Sequence, residues 1–306
     1  MSRVPFRQQL VRLVNRVHKP ERDPGRAARV YAEYDLGRRY AEYHEACRAA
    51  CDRDFEDTEP SALERDGFSY LRGLDAERAQ QVADELQRDH ELELLKKDSR
   101  DLEGFRVSDR RWLETLYADL LVGETDRAIA ACFRSEYLVH WSALSLNHPA
   151  EEQSSVSFRW HCDKGPSAHL KLIVYLNPTG EHGGNTEFIN RADTDAVARQ
   201  GYLFGWSKSR TDDIGRLSRL AGRPLGSEMR ERDAGEAVLF QPSRVLHRGV
   251  SPTRGARLTA TLCILPSPVP WLQAWRSNAA HDLAVDDKWH DDAMSLLDRL
   301  ARRPAP

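Results

Sequence analysis

Three side chains in the second half of the chain have the types and spacing of a metal site. His161 and Asp163 are separated by one residue, and His247 follows much later in VLHRGV. Residues i and i+2 of an extended strand point to the same side, so His161 and Asp163 can converge on one ion. Two imidazoles and one carboxylate form a facial triad, which leaves positions on Fe(II) open for a chelating cosubstrate and dioxygen. The His-x-Asp spacing alone is also found in ordinary surface pairs.

A second candidate group begins ten residues after His247, at the start of RLTATLCIL. Arg257 opens this segment, and Thr259, two residues on, faces the same way along a strand. A buried guanidinium binds a carboxylate through two parallel hydrogen bonds, and a hydroxyl can add a third. The group can therefore hold the distal carboxylate of a dicarboxylic keto acid, whereas a surface salt bridge is the alternative for Arg257 taken alone.

The first half of the chain reads as helical. Residues 1 to about 57 carry tyrosines at helical intervals, with a break at Pro20 and Pro24. Asp75 can cap a helix over AERAQQVADELQRDHELELLKK, and short helices are predicted over 109–121 and 125–133.

From about residue 135 the pattern changes to short strands bounded by Pro, Gly and Asn. The predicted strands are EYLVHWSALSL, SSVSFRWH, HLKLIVYLN, NTEFIN, EAVLFQP, VLHRGVS and RLTATLCILP. Many short strands with turns between them indicate a sandwich or a barrel. A polar insertion over 190–234 is too long for a hairpin loop, and we expect a short helix or two in it. Helical composition returns after Pro270.

Composition limits the classes of function. The 306 residues are 40% hydrophobic and 30% charged, which is typical of a globular protein. A net charge of -3 does not favour nucleic acid as the main partner. Neither a signal peptide nor an apolar run of the ~20 residues needed to cross a bilayer is expected, so we predict a cytoplasmic protein. The five scattered cysteines fit a reduced compartment better than a disulfide framework.

Two segments resemble the Fe(II)- and 2-oxoglutarate-dependent oxygenases, in their prolyl hydroxylase-like and phytanoyl-CoA hydroxylase-like branches. They are WHCDKGPSAHLKLIVYLNPTGEHGGNTEF and GEAVLFQPSRVLHRGVSPTRGARLTATLCIL. The resemblance covers about residues 135–266, and RDGFSYLRGLDAERAQQVADEL is similar to the entry segment of the second branch. It implies a mainly β core, a double-stranded β-helix of the jelly-roll, cupin-like kind, with N-terminal buttressing helices and a helical C-terminal tail. The expected domains are a helical extension over 1–60, the oxygenase domain over 61–270 and the tail over 271–306.

The resemblance also implies roles for individual residues. His161, Asp163 and His247 become ligands of Fe(II), and Arg257 becomes the anchor of the 2-oxoglutarate distal carboxylate, with Thr259 beside it. The implied cosubstrates are 2-oxoglutarate and dioxygen, with ascorbate as a supporting reductant. Asp163 stands where a halogenase has Ala or Gly, which argues against halogenation.

Tyr175 matches a tyrosine whose hydroxyl assists that anchor in the prolyl hydroxylase-like branch. Its parity in HLKLIVYL places it opposite an apolar face, on the side that also carries Lys171. A packed core aromatic is the alternative for Tyr175. As weaker substrate contacts we predict Lys171, Trp141 and Trp206, for which ordinary packing or solvation is the alternative.

The resemblance implies a dioxygenase that hydroxylates an unactivated C–H bond of a small-molecule or carrier-bound substrate, with release of succinate and CO2. Three alternatives stay open: the same machinery used for desaturation, cyclisation or demethylation, a cupin-like metal-binding protein without catalysis, and a zinc hydrolase.

Residues 4–19 form a basic amphipathic segment, which we expect to dock on the domain or on a homodimer partner rather than on an anionic membrane surface.

Overall fold

The structure is a computed structural model. It describes residues 39–55, 60–88, 92–99, 102–149, 156–163, 168–200, 202 and 210–278. The amphipathic segment 4–19, Trp206 and most of the predicted tail lie outside the described residues. Within those ranges, no helix combines the length and the apolar character needed to cross a membrane.

Nine helices and nine strands make up the described part of the chain. The helices are α1 (Arg39–Ala49), α2 (Ala62–Arg65), α3 (Ala76–Arg88), α4 (Arg110–Leu120), α5 (Gly123–Phe133), α6 (Thr179–His182), α7 (Arg191–Arg199), α8 (Ile214–Ala221) and α9 (Trp271–Arg276). The strands are β1 (Phe68–Arg72), β2 (Leu92–Ser99), β3 (Leu102–Val107), β4 (Glu136–Asn147), β5 (Leu170–Tyr175), β6 (Asn185–Ile189), β7 (Glu236–Phe240), β8 (Leu246–Val250) and β9 (Arg257–Ser267).

The strands form a large and a small antiparallel sheet. The large sheet has the order β1-β7-β5-β9-β4-β3-β2, and the small one pairs β6 with β8. Two isolated bridges widen the small sheet, because His161 pairs with His247 on one side and Glu228 pairs with Phe188 on the other. The small sheet thus brings His161 and His247 together through the backbone.

Helices cover the outer face of the large sheet. Leu170, Leu172 and Val174 alternate along β5 and join a core that includes Leu86 of α3 and Leu116 of α4. The core is therefore mainly antiparallel β with helices against one sheet, as the sequence predicted.

The inner face of the large sheet meets the small sheet through aromatic side chains. Phe188 of β6 stacks on Phe68 of β1, with ring centroids 4.8 Å apart, and meets Phe240 of β7 edge-on at 5.1 Å. Tyr175, Val238 and Val245 complete this inner cluster. Close packing of this kind holds the two sheets at a fixed separation, so that side chains on both can meet.

The two ends of the described chain pack on this core. Tyr43 of α1 donates a hydrogen bond of 2.8 Å to the carbonyl of Pro266 in β9. Trp275 lies in α9, beyond β9. The guanidinium of Arg110 lies 4.0 Å over its ring and donates to its carbonyl at 2.8 Å. The predicted domain boundaries near residues 60 and 270 stay predictions.

Short-range signals set several helix ends. The Asp109 carboxylate accepts from the backbone N–H groups of Arg111 and Trp112 at 2.9 and 3.0 Å and so begins α4. The predicted helices over 109–121 and 125–133 correspond to α4 and α5, and the insertion 190–234 contains α7 and α8.

Three sequence-based predictions of secondary structure are wrong. The helix predicted to run through Lys97 ends at Arg88, and LELLKKDS forms β2, because pairing with β3 overrides the helix propensity of Glu, Leu and Lys. In SSVSFRWH, Val156–Phe158 is a single 3-10 turn, and His161 forms only an isolated bridge. No strand was predicted for FSYLR or LEGFRV, which form β1, the edge strand beside β7, and β3, which lies between β4 and β2.

Candidate metal and dicarboxylate site

Backbone hydrogen bonds position the three candidate metal ligands. The His161 N–H donates to the His247 carbonyl at 3.1 Å, and the His247 N–H donates back at 2.9 Å. The Asp163 N–H donates to the carbonyl of Pro242 at 2.7 Å, which ties this residue to the turn between β7 and β8. Because these bonds involve the backbone, the ligand geometry depends on the small sheet and not on a continuous strand through the His-x-Asp motif.

The three side chains converge on one point. Nε2 of His161 lies 3.6 Å from Oδ1 of Asp163, and Nε2 of His247 lies 3.9 Å from Oδ2. The imidazole centroids are 4.4 Å apart, and one ligand atom from each residue lies within 4.8 Å of the others. Among the described residues this is the one group of three or more His, Cys, Asp or Glu with the geometry to hold a metal ion.

Each imidazole is oriented by its other nitrogen. Nδ1 of His161 lies 2.7 Å from the carbonyl of Arg159, and Nδ1 of His247 lies 3.0 Å from that of Val245. A carbonyl only accepts hydrogen bonds, so Nδ1 carries the proton in both rings. The lone pair on each Nε2 therefore faces the centre, as in metal-binding histidines.

Burial and neighbouring charges set the protonation states. Burial, followed by the neighbouring His247, lowers the pKa of His161 to about 3, and burial also lowers the pKa of His247. Burial by itself would raise the pKa of Asp163, but Lys171 and then the two histidines hold it well below its usual value. At neutral pH the group thus consists of two neutral imidazoles and one carboxylate, the forms that bind a metal ion.

Lys171 and Trp141 lie beside this group on the inner face of the large sheet. Nζ of Lys171 forms a salt bridge with Oδ2 of Asp163 and lies 5.5 Å from the ring centroid of Trp141. Cys263 of β9 is the register partner of both residues, so the three form one row across β4, β9 and β5. The predicted substrate contact Trp206 lies outside the described residues.

Arg257 is a buried cation at the start of β9. It is 7% exposed, and its Nη1 donates to the backbone carbonyl of Asn185. Its Nε has no hydrogen-bond partner, and no carboxylate of the described residues forms a salt bridge with it or influences its pKa. Burial lowers the pKa of the guanidinium. A buried charge without an anion is costly, so the position favours an anionic ligand.

Tyr175 and Thr259 lie close to Arg257. They are register partners on β5 and β9, and both are fully buried. The Tyr175 hydroxyl lies 3.1 Å from both Oδ1 of Asn185 and Oγ1 of Thr186. The ring centroid of Tyr175 lies 5.8 Å from the guanidinium carbon of Arg257. Tyr175 is thus connected to Arg257 through Asn185, whose side chain it meets and whose carbonyl Arg257 binds.

Several residues with unpartnered buried polar atoms were missed by the sequence analysis. Buried polar atoms without a hydrogen-bond partner occur on Asn147 (Oδ1), His182 (Nε2) and Ser251 (Oγ). Asn147 is the register partner of Arg257, and the Arg257 charge adds to burial in lowering the pKa of His182. The three come from β4, α6 and the end of β8 and share no sequence motif, so only sheet register could have indicated one of them, Asn147.

The glycine pair before β6 sets the position of Asn185. Gly183 has a φ of +75°, and a Cβ on Gly184 would lie 2.9 Å from Cγ of Pro252. The turn therefore needs glycine at both positions, one for the backbone conformation and one for the close approach.

Sheet register also gives the spacing along β6 between the positions that meet Arg257 and the candidate metal ligand His247. Arg257 binds the carbonyl of Asn185, and His247 is the register partner of Phe188, three residues further along β6. At a rise of about 3.3 Å per residue the two points are about 10 Å apart along the strand.

The chain was compared with protein-family models, with curated proteins and with solved structures. No protein-family model matches the chain, and no curated protein matches it. The chain is similar to a number of solved structures. One is SnoN, a non-heme alpha ketoglutarate dependent epimerase from nogalamycin biosynthesis, with 16% identity, coverage of 74% of this chain and 83% of that one, and a TM-score of 0.43.

Two further solved structures are similar to the same extent. EctD from S. alaskensis, with 2-oxoglutarate and 5-hydroxyectoine, has 17% identity, coverage of 70% and 79%, and a TM-score of 0.47. HygX from Streptomyces hygroscopicus, with nickel and 2-oxoglutarate, has 13% identity, coverage of 67% and 85%, and a TM-score of 0.43.

Proposed function

We propose that this protein is a non-haem Fe(II)- and 2-oxoglutarate-dependent dioxygenase. The observation that carries the proposal is Arg257, a buried guanidinium without a carboxylate partner in the described part of the chain, bound to β6, the strand that pairs with β8 and its His247. A protein that only held a metal would have no use for such a cation.

The residues present fit both groups. His161, Asp163 and His247 would hold Fe(II) through two nitrogens and one oxygen, the donor set of non-haem Fe(II) oxygenases. Arg257 would bind the distal carboxylate of 2-oxoglutarate, and the unpartnered atoms of Arg257 and of its register partner Asn147 would gain partners there. Iron, 2-oxoglutarate and dioxygen together supply oxidation of an unactivated C–H bond, with succinate and CO2 as coproducts.

The chain's own residues orient the groups that would bind the metal and the cosubstrate, and they exclude water from the site. The carbonyls of Arg159 and Val245 hold the imidazoles with Nε2 inward. Phe188 and Phe240 lie against His247, with ring centroids 6.4 and 5.0 Å away, and supply a water-poor wall. Tyr175 and Asn185 fix the carbonyl that Arg257 binds, so the guanidinium is oriented before a carboxylate arrives.

We propose hydroxylation of a small-molecule or carrier-bound substrate in the cytoplasm, on a double-stranded β-helix formed by the two sheets. Desaturation and cyclisation by the same residues are the alternative. A cupin-like metal-binding protein and a zinc hydrolase are less well supported, because neither explains Arg257.

An anaerobic titration tests the proposal. Metal-free protein is titrated with Fe(II) and then with 2-oxoglutarate, and the visible charge-transfer band of a chelated keto acid is recorded. We expect the band in the wild type and in Arg276→Ala, a control that removes an arginine paired with Glu114 on the surface. We expect it to weaken in Arg257→Ala. Iron binding without a band would contradict the oxygenase and favour the metal-binding or hydrolase alternatives.

A further inference from the structure

Lys171 contacts one oxygen of the Asp163 carboxylate, and no Lys or Arg of the described residues forms a salt bridge with the other oxygen. Its Nζ binds Oδ2 of Asp163, whereas Oδ1 lies 3.6 Å from Nε2 of His161. The lysine side chain is 20% exposed, so the salt bridge is largely shielded from water. Shielding from solvent strengthens a charge-assisted hydrogen bond of this kind and reduces its screening by salt.

The protein holds Lys171 in place from three sides. Its backbone lies in the middle of the large sheet, with Phe240 of β7 and Cys263 of β9 as register partners. The ring of Trp141 lies beneath the ammonium at 5.5 Å, a distance at which a cation and an aromatic face attract each other. The direction of the ammonium is therefore set by the sheet and not by the metal-binding residues alone.

A carboxylate can bind a metal through one oxygen or through both. The facial triad depends on one-oxygen binding, because a second oxygen would occupy a position that the cosubstrate or dioxygen needs. Second-shell hydrogen bonds to a ligating carboxylate are what orient it, and their loss typically costs 10–100-fold in metal affinity or activity.

We propose that Lys171 is a positioning residue that holds Oδ2 of Asp163 away from the metal, so that Asp163 binds through Oδ1 alone. The inference rests on the proposed metal site and adds a role that the sequence analysis did not assign, since Lys171 was expected there to contact substrate. Lys171 touches neither the metal nor the cosubstrate in this role, and it acts through Asp163.

The test compares Lys171→Met with Lys97→Met. The control makes the same chemical change on β2, an edge strand that β9, β4 and β3 separate from β5 in the sheet. Metal-free proteins are titrated anaerobically with Co(II), which gives both an affinity and a visible spectrum whose intensity depends on coordination number. Wild-type protein that fails to bind Co(II) would contradict the proposed metal site itself.

We expect Lys171→Met to bind Co(II) about 10–100-fold more weakly than the wild type, with a visible spectrum changed in intensity. Lys97→Met keeps the wild-type values, and Lys171→Arg, which retains a cation, recovers most of the affinity. An unchanged affinity and spectrum in Lys171→Met would overturn the proposal, and a raised KM for substrate alone would then assign Lys171 to substrate. If Lys171→Met does not fold, Lys171→Gln replaces it, and the same changes in Co(II) affinity and spectrum are expected.

Discussion

Asn147 and Arg257 lie directly opposite each other where β4 and β9 pair, and each carries a buried side-chain atom without a hydrogen-bond partner. An oxygen acceptor and a cation donor at one register position are unusual in the interior of a β sheet, because both lose hydration on burial. Polar contact with a ligand, or with water that a ligand displaces, would satisfy both. The pair therefore marks the end of the proposed dicarboxylate site.

Removal of the guanidinium should weaken 2-oxoglutarate binding. We expect Arg257→Ala to lose about 1.5–3 kcal/mol of binding free energy, the range for hydrogen bonds to charged groups. That range corresponds to a roughly 10- to 150-fold higher Kd. Isothermal titration of the Fe(II)-loaded protein under nitrogen measures the change, with Arg276→Ala as the control. A Kd equal to that of the wild type would assign Arg257 to another anion.

The hydroxyl of Tyr175 should contribute less than the guanidinium. It meets Asn185 and Thr186, not the proposed carboxylate position directly, so Tyr175→Phe removes support for Asn185. We expect a loss of about 0.5–1.5 kcal/mol of stability, as for one net hydrogen bond, and only a few-fold weaker 2-oxoglutarate binding. Thermal melts and the same titration check both values. A loss of binding as large as in Arg257→Ala would mean that the hydroxyl itself contacts the carboxylate.

The stability of the metal-free protein should fall as the pH falls below about 6.5. His161 has a pKa lowered to about 3 by burial, whereas in the unfolded chain it titrates near 6.5, so only the unfolded state takes up a proton between these values. Stability therefore rises with pH in this window and is lost towards its acid end. From pH 6.5 to pH 5 we expect His161 to account for about 1.5–2 kcal/mol.

The variant His161→Gln removes that titration. Its melting temperature, recorded by circular dichroism across the same pH range, should vary less steeply than that of the wild type, with the slope from His247 retained. Identical slopes for the two proteins would show that His161 is protonated in the folded state.

Truncation of Phe188 should loosen the two sheets and the metal-binding group together. Its ring is 1% exposed and lies between Phe68 and Phe240, close to His247. We expect Phe188→Ala to cost about 3–5 kcal/mol of stability through the cavity that it leaves. Metal affinity should fall as well, because β6 is the strand that holds β8 and its histidine. Leu116→Ala, in the outer core, is the control and should lower stability without the added loss of metal affinity.

The sequence by itself predicted the features that depend on residue type and on which face of a strand each side chain occupies. The parity of HLKLIVYL predicts that Leu170, Leu172 and Val174 face one way and Tyr175 the other, and the structure places them in the outer core and the inner cluster. Alternation is a local property of a strand, so it can be read without knowing which strands pair.

Other features required the tertiary structure, because they depend on residues far apart in the chain. The pairing of His161 with His247 comes from an isolated bridge and not from the strand predicted at SSVSFRWH. The contact of Lys171 with Asp163 and the orphaned atoms of Asn147, His182 and Ser251 depend on how sheets and turns come together. Residue types alone determined which chemistry was available, whereas sheet register decided which side chains meet, because a shift of one residue turns each side chain of a strand to the opposite face.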